Sequence, residues 1–388
     1  MNKQQKGTLW KNKREGLLMA AMLLVFIGGI YGVGGLYAIG KPEIRTASIA
    51  NEQFATGLIA QRTSSFKIES VIRQSFTYPI YLFDAVDHNT IIVNRPDQSL
   101  TGAKLSRLHL NENEIEDIAT NTDLGISFTF DRKQLIYTQY GSDWRKRDTY
   151  SYDWVTGNRT SVTQNATYSL LNVDKNTYIG FDGYSITLGH NDGSKTRVLY
   201  NYEELTDLIA DKSKIKQAEE VLIMLDSYQL GNDSQSVYML ALVGDQYGIY
   251  RLQLNRPGQV EEMVKGPDIR QFKLIGDNSL LFLGTVDKTV GLFIYDLGKG
   301  TYKLLKTGEI WNFSIDQEES RMAYFTMKEG QNSELHTAYL EDDKLLSDTV
   351  IYQNIENLQM LQWNGNDLFV SSSSIDKSEL YRFTLSIW

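Results

Sequence analysis

Residues 143–148 read DWRKRD, an island in which Trp144 is followed by Arg145, Lys146 and Arg147. An indole face beside three cations can stack on a sugar ring and pair with a carboxylate, which suits an acidic peptide or a sugar acid. The plainer reading is a solvated loop with Trp144 folded against a strand edge. The four histidines, His88, His109, His190 and His336, stand far apart with no HxxxH or HExxH spacing, and the chain has no cysteine. That argues against a zinc site, and no metal or cofactor is expected. His109 and His336 fall in strand-like segments, RLHL and ELHTAYL, where a satisfied hydrogen bond explains them. His88 and His190 fall in polar turns, where solvation is explanation enough.

Nucleophilic chemistry is poorly served. The nearest approach to a GxSxG elbow is GYSIT at residues 183–187, which lacks the second glycine and has no α/β segment to hold a triad. HNDGS at 190–194 and GNDSQS at 231–236 are rich in oxygen donors but lack the spaced acids of a calcium loop. Spacing nominates no carboxylate pair for glycoside hydrolysis, because such a pair can come from distant segments. No catalytic residue is therefore assigned.

The elements that would position these side chains are short alternating or apolar runs rich in Val, Ile, Leu, Tyr and Phe, separated by Asp, Asn and Gly turns. One marker recurs, an Asp or Asn turn between a first strand and a more apolar second. It falls at Asp87, Asp131, Asp174, Asp233, Asp277, Asp316 and Asn366, with spacings of 44, 43, 59, 44, 39 and 50 residues. Five of these six intervals lie near the period of about 40–50 residues expected of a four-stranded propeller blade. The long interval contains YEELTDLIADKSKIKQAEE, residues 202–220, whose apolar positions predict an inserted helix packed on the sheets. A second marker, YDxxxG, occurs as YDWVTGN and YDLGKGT. It predicts a hairpin between third and fourth strands, the Asp accepting backbone N–H bonds and Gly157 or Gly300 supplying positive φ. The seventh unit ends one strand short, and FKIESVIR at 66–73 is the spare strand that would complete it.

These turns and hairpins resemble the TolB-type β-propeller repeat, which also occurs in the propellers of prolyl oligopeptidases. The resemblance spans roughly residues 66–388 and implies a fold and a scaffolding habit rather than a reaction. The expected class is all-β, a seven-bladed β-propeller over 66–388 preceded by a single transmembrane helix.

The N-terminus supports the second half of that expectation. Residues 16–40 run 25 positions without a charge, long enough to cross a bilayer as a signal anchor. The preceding tail, residues 1–15, carries a net +4 and is expected to stay in the cytoplasm, which sends the rest of the chain out. Gly28 and Gly32 are spaced for a close helix pair, so they are candidate homodimer contacts within the lipid. Residues 41–65 are expected to connect anchor and propeller as a short helix or a stalk. Removing the tail from the total charge of −9 leaves −13, which excludes nucleic acid as a partner. The function expected is a membrane-anchored, extracytoplasmic scaffold more than an enzyme, binding an envelope protein or a cell-wall component. The alternative is a glycan-active or other hydrolytic propeller with acidic residues in its central channel.

Overall fold

The computed structural model describes residues 45–48 and 66–387, apart from short stretches at 98–101, 113, 130–131, 142–146, 164–168, 175, 182–183, 191–195, 216–217, 257, 317–319, 329–330 and 376. The anchor segment, with Gly28 and Gly32, lies outside the described residues. Among the described residues no helix is long and apolar enough to cross a membrane.

The described chain is almost entirely β-strand, gathered into small antiparallel sheets that follow one another along the sequence. The fifth repeat shows how its sequence makes one. Its strands are Asp268–Ile275, Ser279–Val286, Thr289–Asp296 and Thr301–Thr307, paired in that order. SLLFLGTV and TVGLFIYD are apolar on both faces and almost wholly buried, whereas TYKLLKT is mostly exposed. Strands buried on both faces belong between two neighbouring sheets, and the polar fourth strand belongs at the rim.

The turns are set by local chemistry. Asp87, Asp174 and Asp233 each accept two backbone N–H bonds through Oδ1, from Asn89 and Thr90, Asn176 and Thr177, and Gln235 and Ser236. The two YDxxxG hairpins coincide in detail. Asp153 Oδ1 accepts from Val155 and Thr156, and Asp296 Oδ1 from Gly298 and Lys299. Gly157 (φ 74°) and Gly300 (φ 66°) close them in the left-handed conformation that glycine adopts without strain.

The apolar core lies between sheets. Tyr238 and Leu240 of the fourth repeat pack with Phe272, Phe282 and Phe293 of the fifth. Leu281 and Leu292 on the fifth pack with Phe313, Met322 and Tyr324 of the sixth. Ile91 and Leu108 of the first repeat share a cluster with Phe369 and Leu380 of the seventh, so the two ends of the chain meet.

That meeting is hydrogen-bonded. The strand Phe66–Phe76 pairs along its length with Ser378–Ile387, from Phe66↔Ile387 to Phe76↔Ser378, and supplies the seventh repeat with its missing strand. Arg45–Ser48 then adds to the outer side of Phe66–Phe76, so part of the connector is strand, not helix or stalk. A further departure concerns repeats one and two, which form one sheet through the pair Thr122↔Gln139. The first strand of repeat two is only Ser127–Phe128, and it leaves the end of its neighbour Gln134–Tyr140 open to Glu114–Thr122.

The insertion is the helix Tyr202–Lys212, here α1, followed by a 3-10 turn at Ala218–Glu220. Leu205, Ile209 and Ala210 enter the cluster that holds Val221, Ile223 and Tyr228, so the apolar face of α1 rests on the sheets. Glu203 and Glu204 sit in its first turn, where the helix dipole favours negative charge.

Candidate functional site

Adjacent sheets are joined at their first strands by side-chain amides acting as pieces of backbone. Gln229 accepts from Leu274 N at 2.9 Å and donates to Phe272 O at 2.6 Å. Gln271 donates to Phe313 O at 3.0 Å and accepts from Phe313 N at 3.2 Å. Asn312 donates to Gln359 O, and Gln362 accepts from Ala85 N, both at 2.8 Å. A carboxamide offers one acceptor and two donors in a plane, so it can mimic a peptide unit where no strand pairing exists.

Counting back from each turn marker aligns these residues. Gln229, Asn312 and Gln362 each stand four positions before Asp233, Asp316 and Asn366. In the fifth repeat that position is Lys273, and the bridging role has moved two residues back, to Gln271 on the same face of the strand. One position of a repeated joint is thus released from the joint and given a cation.

Lys273 is exposed to solvent, with protein crowded around its ammonium. Burial pushes its ammonium below the ordinary lysine range, and the Asp84 carboxylate of the first repeat pulls part of the way back. Asp84 is held by Arg132 at 2.8 Å, from the turn of the second repeat, and by Gln362 Nε2 of the seventh at 2.8 Å. Repeats one, two and seven therefore meet at Asp84 where their first strands end, and Lys273 of the fifth repeat feels the charge of that carboxylate. The set is two cations, an amide and one carboxylate. It carries a net positive charge in an otherwise acidic molecule, and the single carboxylate, already paired with Arg132, offsets only part of the cost of keeping Lys273 charged.

This end of the sheets is also tied by ion pairs between neighbouring turns. Arg321, buried, pairs with Asp316 and donates to Asn366 Oδ1 at 3.0 Å and Gly365 O at 2.8 Å. His88 meets Asp367 at 2.7 Å, so this histidine joins two repeats instead of being merely solvated. His336 behaves as a buried strand histidine, with Asp348 at 3.1 Å and Tyr324 stacked on its ring at 4.6 Å. Asp233 gives its second oxygen to Ser236 Oγ at 2.8 Å, so the 231–236 turn spends its carboxylate on itself.

Of the basic island, Trp144, Arg145 and Lys146 lie outside the described residues. Arg147 opens the strand Arg147–Asp153, opposite Tyr140, with its guanidinium 5.0 Å from that ring. It belongs to the opposite end of the sheets from Lys273, because second strands end there. The Lys273 site was missed in the sequence. Its signal was the lone cation at the fourth position before the turn marker.

No family model matches the chain, and no curated protein matches it. Solved structures do. The β-propeller domain of the Trilobed protease from Pyrococcus furiosus, described as having an open velcro topology, superposes with a TM-score of 0.53 at 11% identity, over 80% of this chain and 97% of that one. A post-proline cleaving enzyme from Rickettsia typhi gives 0.52 at 12% identity, over 80% of this chain and 52% of that chain. TolB from Acinetobacter baumannii gives 0.40 at 12% identity, over 85% of this chain and 80% of that one. The chain spans about half the length of the prolyl endopeptidases it matches. At such identities the likeness is one of fold, the all-β architecture of propellers, and is distant.

Proposed function

We propose that the chain is a membrane-anchored, extracytoplasmic propeller whose seven repeats close into a ring, and that it serves as a binding scaffold. Its ligand is a carboxylate- or phosphate-bearing group of a cell-envelope protein or cell-wall polymer, received where Lys273 and Arg132 converge. One observation carries this reading: Lys273 occupies the position that joins sheets in three other repeats, and it makes no such joint. An anion beside it would offset the desolvation that depresses its pKa. Hydrolysis by paired carboxylates draws no support from this site, where the partners of Asp84 are a cation and an amide.

The test is crosslinking in intact cells from a photo-reactive residue placed at Asn364, followed by mass spectrometry, on the parent chain and on Lys273→Gln. The main adduct should be lost in Lys273→Gln. A lysine with a depressed native pKa destabilises the fold fully below that pKa, and the cost is relieved as pH rises towards the unfolded value. The variant should therefore be no less stable at neutral pH, gaining up to about 1 kcal/mol after allowance for solvent screening, with the gain fading in alkali. Unchanged adduct recovery in a folded variant overturns the assignment.

A further inference from the structure

The two ends of the sheets differ in chemistry. Where first strands end lie the turn aspartates Asp87, Asp174 and Asp233, exposed, and Asp153 and Asp296, half-buried, all bound to their own turns. At the other end, where one repeat passes to the next, large apolar side chains stand in solvent. Tyr184, Leu222, Trp311, Met327 and Ile375 are all exposed there, Ile375 at 83%. Trp311 has the Arg270 guanidinium 5.6 Å from its ring, and Arg270 is in turn paired with Asp268 and Glu309. A tryptophan with an adjacent arginine is the pairing that settles at the boundary between lipid and water.

The path of the chain selects the same end. Arg45 is opposite Ser75, one residue from the end of the strand Phe66–Phe76, and that strand leads directly into the first repeat at the apolar end. From Arg45 back to Gly40, the last residue of the uncharged segment, is five residues, a reach of at most roughly 18 Å. A membrane anchor at 16–40 therefore cannot hold the sheets far from the bilayer, and it delivers them with the apolar end nearest.

We infer that the protein sits on its own membrane, with the end bearing Ile375, Trp311 and Met327 against the lipid interface and the aspartate-rich end, with Lys273, turned away. The contact is with the lipid itself. Interfacial burial of scattered apolar side chains suits it. Arg147, which opens the strand Arg147–Asp153, also belongs to the lipid-facing end, where a cation meets headgroups favourably. This inference rests on reading residues 16–40 as an anchor.

Because the chain contains no cysteine, single-cysteine variants of the full protein give unique labelling sites. Ile375→Cys and Met327→Cys at one end, and Val155→Cys at the other, all replace exposed side chains. Each is labelled with an environment-sensitive fluorophore and reconstituted into phosphatidylcholine vesicles with or without headgroup spin-labelled lipid. Labels at 375 and 327 should be quenched roughly twofold or more by the spin-labelled lipid, and the label at 155 little. Equal quenching at both ends, or stronger quenching at 155, overturns the orientation. Protection from an aqueous quencher without quenching by lipid also overturns it, in favour of a second copy covering that end. Flotation of the vesicles separates the two readings. Protein that floats but shows no difference refutes the orientation alone, and protein that does not float refutes the anchor and the orientation together.

Discussion

Asp348 shows how a single buried charge is made tolerable in this fold. Burial pushes its carboxyl up, but hydrogen bonds from His336 and Lys306, the latter at 2.6 Å, and from Tyr324 at 2.6 Å outweigh it and hold the group far below the usual carboxylate range. Burial, and after it the same carboxylate, push the Tyr324 hydroxyl well above its ordinary value. Because the native carboxyl has the lower pKa, its stabilisation is complete above the unfolded value near 4 and is lost as pH falls through the native one. Asp348→Asn should cost roughly 2–3 kcal/mol at neutral pH, since Lys306 and Tyr324 lose a charged partner in a half-buried site. The gap between parent and variant should narrow towards about pH 3, measured by urea unfolding. A gap constant across that range would mean that the network is packing and not charge. The sequence showed His336 as a satisfied strand residue, because its segment alternates. It hid Asp348, which reaches the histidine from another strand, and Lys306, which reaches that carboxylate from another sheet. Lys273 was hidden in a different way: its oddity appears only once four repeats are aligned on their turns and the face of the strand is known.

Among elements, what could be read early was whatever is decided within a few residues. The Asp turns and YDxxxG hairpins are closed by an acceptor two or three positions from its donors, so sequence spacing specifies them outright. Strand Phe66–Phe76 was recognisable because the seventh repeat lacked a fourth strand. Arg45–Ser48 was not, since an edge strand in a polar connector is specified by the neighbour it joins and not by its own pattern. The amide bridges between sheets were equally invisible, as each Gln or Asn looks like any polar residue at the edge of a strand. Gln229→Leu should cost about 1–3 kcal/mol, leaving Leu274 N and Phe272 O without their partner. Gln229→Glu keeps the acceptor and loses the donor, so it should fall between the two in thermal unfolding. If the leucine variant matched the parent, the bridges would be incidental, and the released position of Lys273 would lose its meaning as an exception.

At the scale of the whole molecule, the question is whether the last sheet holds the others together. Phe66 is the point to test. It is almost wholly buried, stacks on Tyr339 at 4.7 Å and lies 6.4 Å from Trp363, so the N-terminal strand is pinned into both the sixth and seventh repeats. Linear repeat arrays lose stability locally, because each repeat contacts only its neighbours and a frayed end leaves distant repeats unaffected. A closed ring has no end to fray: opening it at one seam removes a constraint that every sheet shares. Phe66→Ala removes about 3–5 kcal/mol of packing. In a ring, that loss should appear far away, accelerating amide exchange in Ser279–Val286 of the fifth repeat by about a hundredfold or more, in step with Phe66–Phe76. In an open arc, only Phe66–Phe76 and Ser378–Ile387 would exchange faster, and the fifth repeat would keep its parent protection. Residues 66 and 279 belong to sheets that share no cluster, and the sixth repeat, which packs on both, is the only open-arc route between them among the described clusters; a fifth repeat that opens as much as the sixth therefore points to closure, and a loss that fades from the sixth to the fifth points to an open arc.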